Sequence, residues 1–119
     1  MTSTRQLLER AYRAFSDRDV DAVLATLHPH VNWSNAWEGG RGIGRAAVRD
    51  YWERQFAEIS SDVEPRLFSD VPVGSVSVDV RLVVRDAHTH ELVSDSTVRH
   101  RYRFEDGLIV RMDVLADDE

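Results

Sequence analysis

The hydrophobic pattern of this chain changes its period once, and that change limits the folds open to it. Up to about residue 59, apolar side chains recur at the spacing of amphipathic helices. Beyond Asp62 they alternate, most clearly from Ser75 to Arg85, where one face carries Val76, Val78, Val80, Leu82 and Val84. Helices segregated from strands in this way predict an α+β fold, with three helices packed against one face of a curved antiparallel sheet.

Local signals place the element boundaries. Ser3-Thr4-Arg5-Gln6 has the spacing of a capping box, so the first helix is predicted to begin there. Asp19 is the expected N-cap of a short second helix, and His30 to Ser34 is predicted to form a short strand. Three or four long strands follow the third helix. That helix is predicted from about Arg45 to Ile59, with an apolar face of Val48, Trp52, Phe56 and Ile59.

The length of the chain predicts one domain. No internal repeat, low-complexity tract or linker divides the 119 residues. We therefore expect a single domain over 1–119, with its core at about 5–115 and a short acidic tail at 116–119.

Composition excludes several kinds of function. All 15 basic residues are arginine, so chemistry that needs a lysine amine, including that of pyridoxal phosphate, is excluded. There is no cysteine for disulfides or thiolate catalysis, and a net charge of −6 argues against nucleic-acid binding. The first residues lack an apolar signal core, and no run is long enough to cross a bilayer. We expect a cytoplasmic protein without a membrane partner.

The glycine-rich stretch GGRGIGR, residues 39–45, does not match a phosphate-binding loop. The third glycine of a dinucleotide fingerprint would fall on Arg45, and no Gly-Lys-Ser/Thr follows. We interpret the stretch as a flexible connection to the third helix, with glycines where the backbone turns.

Two histidine pairs raise the question of a metal site. His28-Pro29-His30 and His88-Thr89-His90 each have a spacing that presents two imidazoles on one side of a strand. The first pair follows a helix end, and the second lies in a polar hairpin connection. Nothing in the sequence brings the two pairs together, so no metal is expected.

A few residues are candidates for chemistry. Trp33, Trp37 and Glu38 surround the start of the glycine stretch, and they either cap the hydrophobic layer or border a pocket. In a pocket, apolar neighbours would raise the pKa of Glu38 and suit it to acid–base work. His100 lies on the apolar face of its strand, beside Tyr102. It is either a hydrogen-bonded core histidine or an imidazole that faces a cavity and exchanges protons near neutral pH.

Three segments together resemble a known superfamily. They are LLERAYRAFSDRDVDAVLATLHPHVNW, GRGIGRAAVRDYWERQF and YRFEDGLIVRMDVL. The chain resembles the nuclear transport factor 2-like superfamily from about Arg5 to Leu115, and more narrowly its SnoaL-like, ketosteroid-isomerase-like bacterial members. The resemblance implies a cone-shaped sheet around helices, an apolar pocket in the open end, and a homodimer formed through the sheet.

The catalytic residues of the steroid isomerases are not matched. Their first-helix tyrosine falls on Ala11, with Tyr12 beside it but pointing elsewhere on the helix. Their aspartate base falls within Asn32 to Asn35, which contains no carboxylate, and their late aspartic acid falls on His100. A steroid-isomerase mechanism is therefore not expected.

Two hypotheses of function remain. In the first, the chain is a cofactor-free isomerase, cyclase, dehydratase or hydrolase-like enzyme for an apolar, oxygen-bearing small molecule. His100 would be catalytic, with Glu38 as its partner. In the second, the pocket belongs to a non-catalytic ligand-binding or dimeric interaction module. In either case the predicted substrate-binding residues are Tyr12, Phe15, Trp33, Trp37, Trp52, Phe56, Tyr102 and Met112.

Overall fold

The computed structural model describes residues 4–35, 39–71 and 75–116. The N-terminal half forms α1 (Thr4–Ser16), α2 (Val20–Leu24), β1 (Leu27–Ser34), β2 (Arg41–Ile43) and α3 (Arg45–Glu58). The rest consists of four long strands: β3 (Ile59–Val71), β4 (Ser75–Asp86), β5 (Leu92–Glu105) and β6 (Leu108–Ala116). The predicted order of elements is confirmed, apart from β2, which the sequence did not indicate.

All six strands of the described residues form one curved, open sheet in the order β2-β1-β6-β5-β4-β3. Neighbouring strands are antiparallel except β1 and β6, which run parallel and pair Leu27 with Ile109 and Trp33 with Met112. The predicted α+β cone is confirmed, with this one parallel pair as a difference. The two strands are separated by most of the chain, so no hairpin joins them and the long connection permits the parallel direction.

The core lies between the helices and the concave face of the sheet. Leu8 of α1, Val48 of α3, and Val78, Val80 and Ile109 of the sheet are completely buried. Each such side chain contributes about 1.5–3 kcal/mol through removal of its apolar surface from water. This packing holds the helices inside the curve of the sheet.

The buried face of α3 differs from the prediction. Val48 and Trp52 are buried as expected, but the other buried residues are Tyr51 and Gln55. Phe56 is only partly buried, and Ile59 begins β3. The buried face is rotated because α3 packs against β1 and β3. Tyr51 and Gln55, three residues after Val48 and Trp52 respectively, therefore face inward.

The glycine stretch is more ordered than a flexible connection. Arg41–Ile43 forms β2 and pairs with β1, matching Ser34 to Arg41 and Asn32 to Ile43. The prediction that glycines serve backbone turns is correct for Gly39, Gly40 and Gly44, whose φ angles are positive. Gly44 precedes α3 with φ 88° and ψ 160°, a conformation that is accessible essentially only to glycine.

No helix among the described residues is both long enough and apolar enough to cross a membrane.

Substitution of Gly44 by alanine tests this backbone requirement. A Cβ there would meet only the Pro29 carbonyl oxygen at 3.6 Å, an ordinary contact, so the penalty comes from the backbone conformation. We expect Gly44→Ala to lower the free energy of unfolding by about 1–3 kcal/mol in urea denaturation. Gly42→Ala is the matched control, because the φ of Gly42 is not positive. Equal losses in both variants would contradict the backbone explanation.

Candidate functional site

A cavity of about 280 Å³ lies between the helices and the concave face of the sheet. Most of its wall is apolar, with side chains from all three helices and from every strand except β2. No carboxylate lines it within the described residues. A small, largely apolar pocket with a few polar groups is the usual form of a small-molecule site.

Three polar side chains form a hydrogen-bonded group on this wall. The hydroxyl of Tyr102 donates to the hydroxyl oxygen of Tyr12 at 2.8 Å. The Tyr12 oxygen lies 2.8 Å from Nδ1 of His100, and the Tyr102 oxygen lies 3.3 Å from the same nitrogen. We call these three residues the Tyr–Tyr–His group.

Two elements hold the Tyr–Tyr–His group in place. His100 and Tyr102 are two residues apart on β5, so their side chains share the concave face of the sheet. Tyr12 reaches them from the inner face of α1. Its ring is stacked on the ring of His100 with centroids 6.0 Å apart, and it meets the ring of Tyr102 edge-on at 6.2 Å.

The hydrogen bonds favour one tautomer of His100. Because Tyr102 donates to Tyr12, the proton of Tyr12 is free to point to Nδ1 of His100. Nδ1 then acts as an acceptor, and a neutral imidazole must carry its proton on Nε2. No group within the described residues contacts Nε2 at hydrogen-bond distance. In this tautomer His100 has one N–H available for a ligand.

Burial keeps the whole group neutral. Removal from water lowers the pKa of His100 to about 4. It also raises the pKa of Tyr12 well above 10, helped by the neighbouring Tyr102, and raises that of Tyr102. Both shifts oppose the transfer of a proton from Tyr12 to His100, because each disfavours the charged form. The group is suited to donating hydrogen bonds and not to holding a charge.

Aromatic side chains form the neighbouring wall. Trp52 of α3 meets Phe15 of α1 edge-on at 5.7 Å and Trp33 of β1 at 5.3 Å. Trp33 lies 6.5 Å from Tyr102, which joins this wall to the Tyr–Tyr–His group. Flat aromatic surfaces of this kind favour an apolar or aromatic ligand.

Most of the predicted site residues lie around the cavity. Those that line it are Tyr12, Phe15, Trp33, Trp52, His100, Tyr102 and Met112. Phe56 is not among the lining residues; it packs against Phe15 at 5.5 Å and lies under the guanidinium of Arg18. Trp37 and Glu38 fall outside the described residues.

Tyr12 lines the cavity, as expected of a substrate-binding residue, but the prediction that it points elsewhere on the helix than Ala11 is wrong. Its side chain and Ala11 both line the cavity, because this part of α1 lies in the cone with two adjacent positions facing inward. Sequence reasoning also missed Gln55 and Ser61, which line the cavity and are buried. The sequence did contain a signal for Gln55: it lies three residues after Trp52, and residues three apart share a helix face.

The first histidine pair forms a small polar cluster elsewhere. Nε2 of His28 lies 3.8 Å from a carboxylate oxygen of Glu105 and 3.6 Å from one of Asp106. Nδ1 of His28 accepts a hydrogen bond from the backbone N–H of His30 at 3.0 Å. The neutral ring therefore carries its proton on Nε2, directed at the carboxylates, and this nitrogen has no lone pair to offer a metal.

A sequence-family comparison now identifies the family. The model of the SnoaL-like domain matches residues 8–112. The chain belongs to the SnoaL-like family. The predicted resemblance to this nuclear transport factor 2-like group is thus confirmed. Among curated protein sequences, none is similar enough to count as a relative of the chain.

Solved structures share the SnoaL-like fold over nearly the whole chain. A nuclear transport factor 2-like protein of unknown function from Burkholderia pseudomallei has a TM-score of 0.85 at 24% identity, covering 98% of this chain and 92% of its own. TerC, co-crystallised with polyporic acid, has a TM-score of 0.83 at 21% identity, covering 97% of this chain and 92% of its own. A proposed polyketide cyclase from Sinorhizobium meliloti has a TM-score of 0.75 at 23% identity, covering 91% of this chain and 92% of its own. At these identities the likeness shows the fold alone.

The lowered pKa of His100 predicts a dependence of stability on pH. Above about pH 6.5 the ring is neutral in both the folded and the unfolded chain. Below that pH the unfolded chain binds a proton that the folded protein accepts only near pH 4. The free energy of unfolding should therefore fall between pH 6.5 and 4, by up to about 3 kcal/mol from this residue.

Urea denaturation of the wild type and His100→Gln across this range would measure the effect. The other titratable groups are common to both proteins, so the difference between the two curves isolates His100. We expect the wild type to lose more stability than the variant as the pH falls. Parallel curves would show that His100 protonates equally in the folded and unfolded protein.

Proposed function

We propose that this SnoaL-like protein is a cofactor-free enzyme acting on an apolar, oxygen-bearing small molecule. The observation that carries the proposal is the Tyr–Tyr–His group, a hydrogen-bonded polar trio on the wall of an apolar cavity. Two of these polar side chains are buried and His100 is partly buried, which is costly, and the group leaves one N–H for a ligand. The reaction type is an isomerisation, cyclisation, dehydration or related hydrolysis.

In this mechanism the Nε2–H of His100 donates to a carbonyl or hydroxyl oxygen of the substrate. The bond from Tyr12 to Nδ1 draws electron density from the ring, and Tyr102 reinforces it, so the chain strengthens the outer donor. As negative charge develops on the substrate oxygen, this donor stabilises it in a site with little water. Glu38, which the sequence analysis names as the partner of His100, is the proposed proton acceptor.

The neighbouring structures support a small organic ligand. TerC is co-crystallised with polyporic acid, and other structures of this fold belong to proposed polyketide cyclases. The aromatic wall formed by Phe15, Trp33 and Trp52 suits a flat, apolar ligand body.

The second candidate function is ligand binding without catalysis. It is favoured by the lack of a carboxylate on the cavity wall within the described residues, and by the weak basicity of His100. A carrier or sensor needs only the N–H of His100 and the apolar wall, without a strong base.

We also propose that the chain forms a homodimer through the convex face of the sheet. Arg99 pairs with Asp79 at 2.9 Å and Arg81 with Asp95 at 2.7 Å on this face, beside the exposed Leu67. Ion pairs that neutralise each other around an apolar residue support contact with a second copy.

A ligand screen by thermal shift tests the pocket. Cyclic ketones, sterols, aromatic polyketide fragments and epoxides are the compounds to use. A ligand at a hundred times its dissociation constant stabilises the folded protein by about 2.7 kcal/mol. We expect a clear shift from one class in the wild type and in Phe56→Leu, a control altered outside the cavity wall. No shift from any class would contradict both functions.

His100→Ala then separates the two functions. In an enzyme this variant should lose about 10²–10⁴-fold in turnover while still binding the ligand. In a binding module it should change affinity alone, with no turnover in the wild type. A variant that is less stable but unchanged in turnover and affinity would make His100 a purely structural residue.

A further inference from the structure

The cavity has a second polar position, on the side where α3 joins β3. Nε2 of Gln55 donates to the hydroxyl oxygen of Ser61 at 3.2 Å. Both residues line the same cavity as the Tyr–Tyr–His group, and both are buried, with 7% and 2% of their surface exposed. A primary amide is costly to bury in an apolar wall unless its hydrogen-bonding groups have partners.

The bond to Ser61 uses only part of the capacity of this pair. A glutamine amide has two N–H donors and a carbonyl oxygen with two lone pairs. Within the described residues the Gln55 side chain makes the one bond to Ser61. One N–H and the carbonyl oxygen of Gln55 therefore remain for a ligand, together with the hydroxyl proton of Ser61.

The two polar positions lie far apart along the sheet. Strand β4 lies between β5 and β3, so its residues locate both positions. His100 of β5 pairs with Val78 of β4, and Ser61 of β3 pairs with Val84 of β4. Val78 and Val84 are six residues apart on the same strand, a contour of about 20 Å that the curvature of the sheet shortens. The Tyr–Tyr–His group and the Gln55–Ser61 pair thus occupy opposite ends of one cavity.

Aromatic side chains connect the two ends. Phe15 lies one turn after Tyr12 on α1, and Trp52 lies one turn before Gln55 on α3. These two rings meet edge-on at 5.7 Å. A ligand that reaches both polar ends must therefore pass along an apolar, aromatic surface between them.

We propose that Gln55 and Ser61 form a second anchor that selects ligands with an oxygen function at each end of a rigid, apolar body. This inference rests on the proposed function, because it assigns a substrate class to the same cavity. His100 donates to one terminal oxygen, and the Gln55–Ser61 pair binds the other. Ligands with a single oxygen use only one of the two anchors and bind more weakly.

Matched pairs of phenols of increasing length test the second anchor. The pairs are phenol with hydroquinone, 2-naphthol with 2,6-dihydroxynaphthalene, and 4-hydroxybiphenyl with 4,4′-dihydroxybiphenyl. Dissociation constants are measured by quenching of tryptophan fluorescence, since Trp33 and Trp52 line the cavity. We expect the diol of the best-fitting pair to bind about 3- to 10-fold tighter than its mono-ol, beyond a roughly twofold statistical gain from two equivalent ends.

Gln55→Met is the decisive variant, because methionine keeps the length and volume of the side chain and removes the amide. The preference for the diol should disappear in Gln55→Met, while the affinity for the mono-ol stays close to that of the wild type. Ser61→Ala should reduce the same preference in part. Phe56→Leu, altered outside the cavity wall, should retain it in full.

The possible failures can be told apart. If neither mono-ols nor diols bind the wild type, the proposed function itself fails. If both bind equally well for all three lengths, or if the diol preference survives in Gln55→Met, the pocket stands and the second anchor is wrong. A Gln55→Met protein that melts at a lower temperature but keeps the diol preference would show that Gln55 only ties α3 to β3.

Discussion

The parallel pairing of β1 with β6 is the contact on which the rest of the structure depends. It joins the helical N-terminal half to the long strands, through Leu27 opposite Ile109 and Trp33 opposite Met112. The backbone N–H of Ile109 donates to the carbonyl oxygen of Thr26 at 2.9 Å, just before β1 begins. Without this strand pairing, the helical half would contact the long strands only through side chains, and Trp33 would not lie beside Tyr102.

Enclosure by the cone then determines the chemistry of the site. In water, a histidine and two tyrosines have pKa values near 6.5 and 10. Within the cone, desolvation moves the pKa of the histidine down and those of the tyrosines up, so ionisation becomes harder at every member of the group. The same burial makes each neutral hydrogen bond stronger, because little water competes for it. A chain of neutral donors is the result, directed from Tyr102 through Tyr12 to His100.

The polar groups of the cavity are placed by different physical means. His100 and Tyr102 are set by the alternation of a single strand, which is a local property. Tyr12 and Gln55 are set by how α1 and α3 rotate against the sheet. The apolar patterns of those helices allow more than one rotation, and the packing against β1 and β3 selects the one observed.

Much of the fold could therefore be predicted from residue patterns. The alternation from Ser75 to Arg85 predicted β4, and the capping signal of Asp19 predicted α2. The short strand β2 was missed because three residues between glycines carry no periodicity of their own; pairing with β1 defines that strand. The predicted face of α3 included Phe56 and omitted Gln55, since hydrophobicity alone assigns a phenylalanine inward and a glutamine outward.

The amino-acid sequence by itself determined the α+β class and the position of His100 on the apolar face of its strand, because periodicity and strand alternation are local properties of the chain. It also indicated the SnoaL-like family, through the resemblance of three segments. Only the tertiary structure decided that Tyr12 bonds to His100 and that Gln55 bonds to Ser61 on the wall of the same cavity. The reason is that such contacts join residues on different elements, and their geometry depends on how helices rotate against a curved sheet.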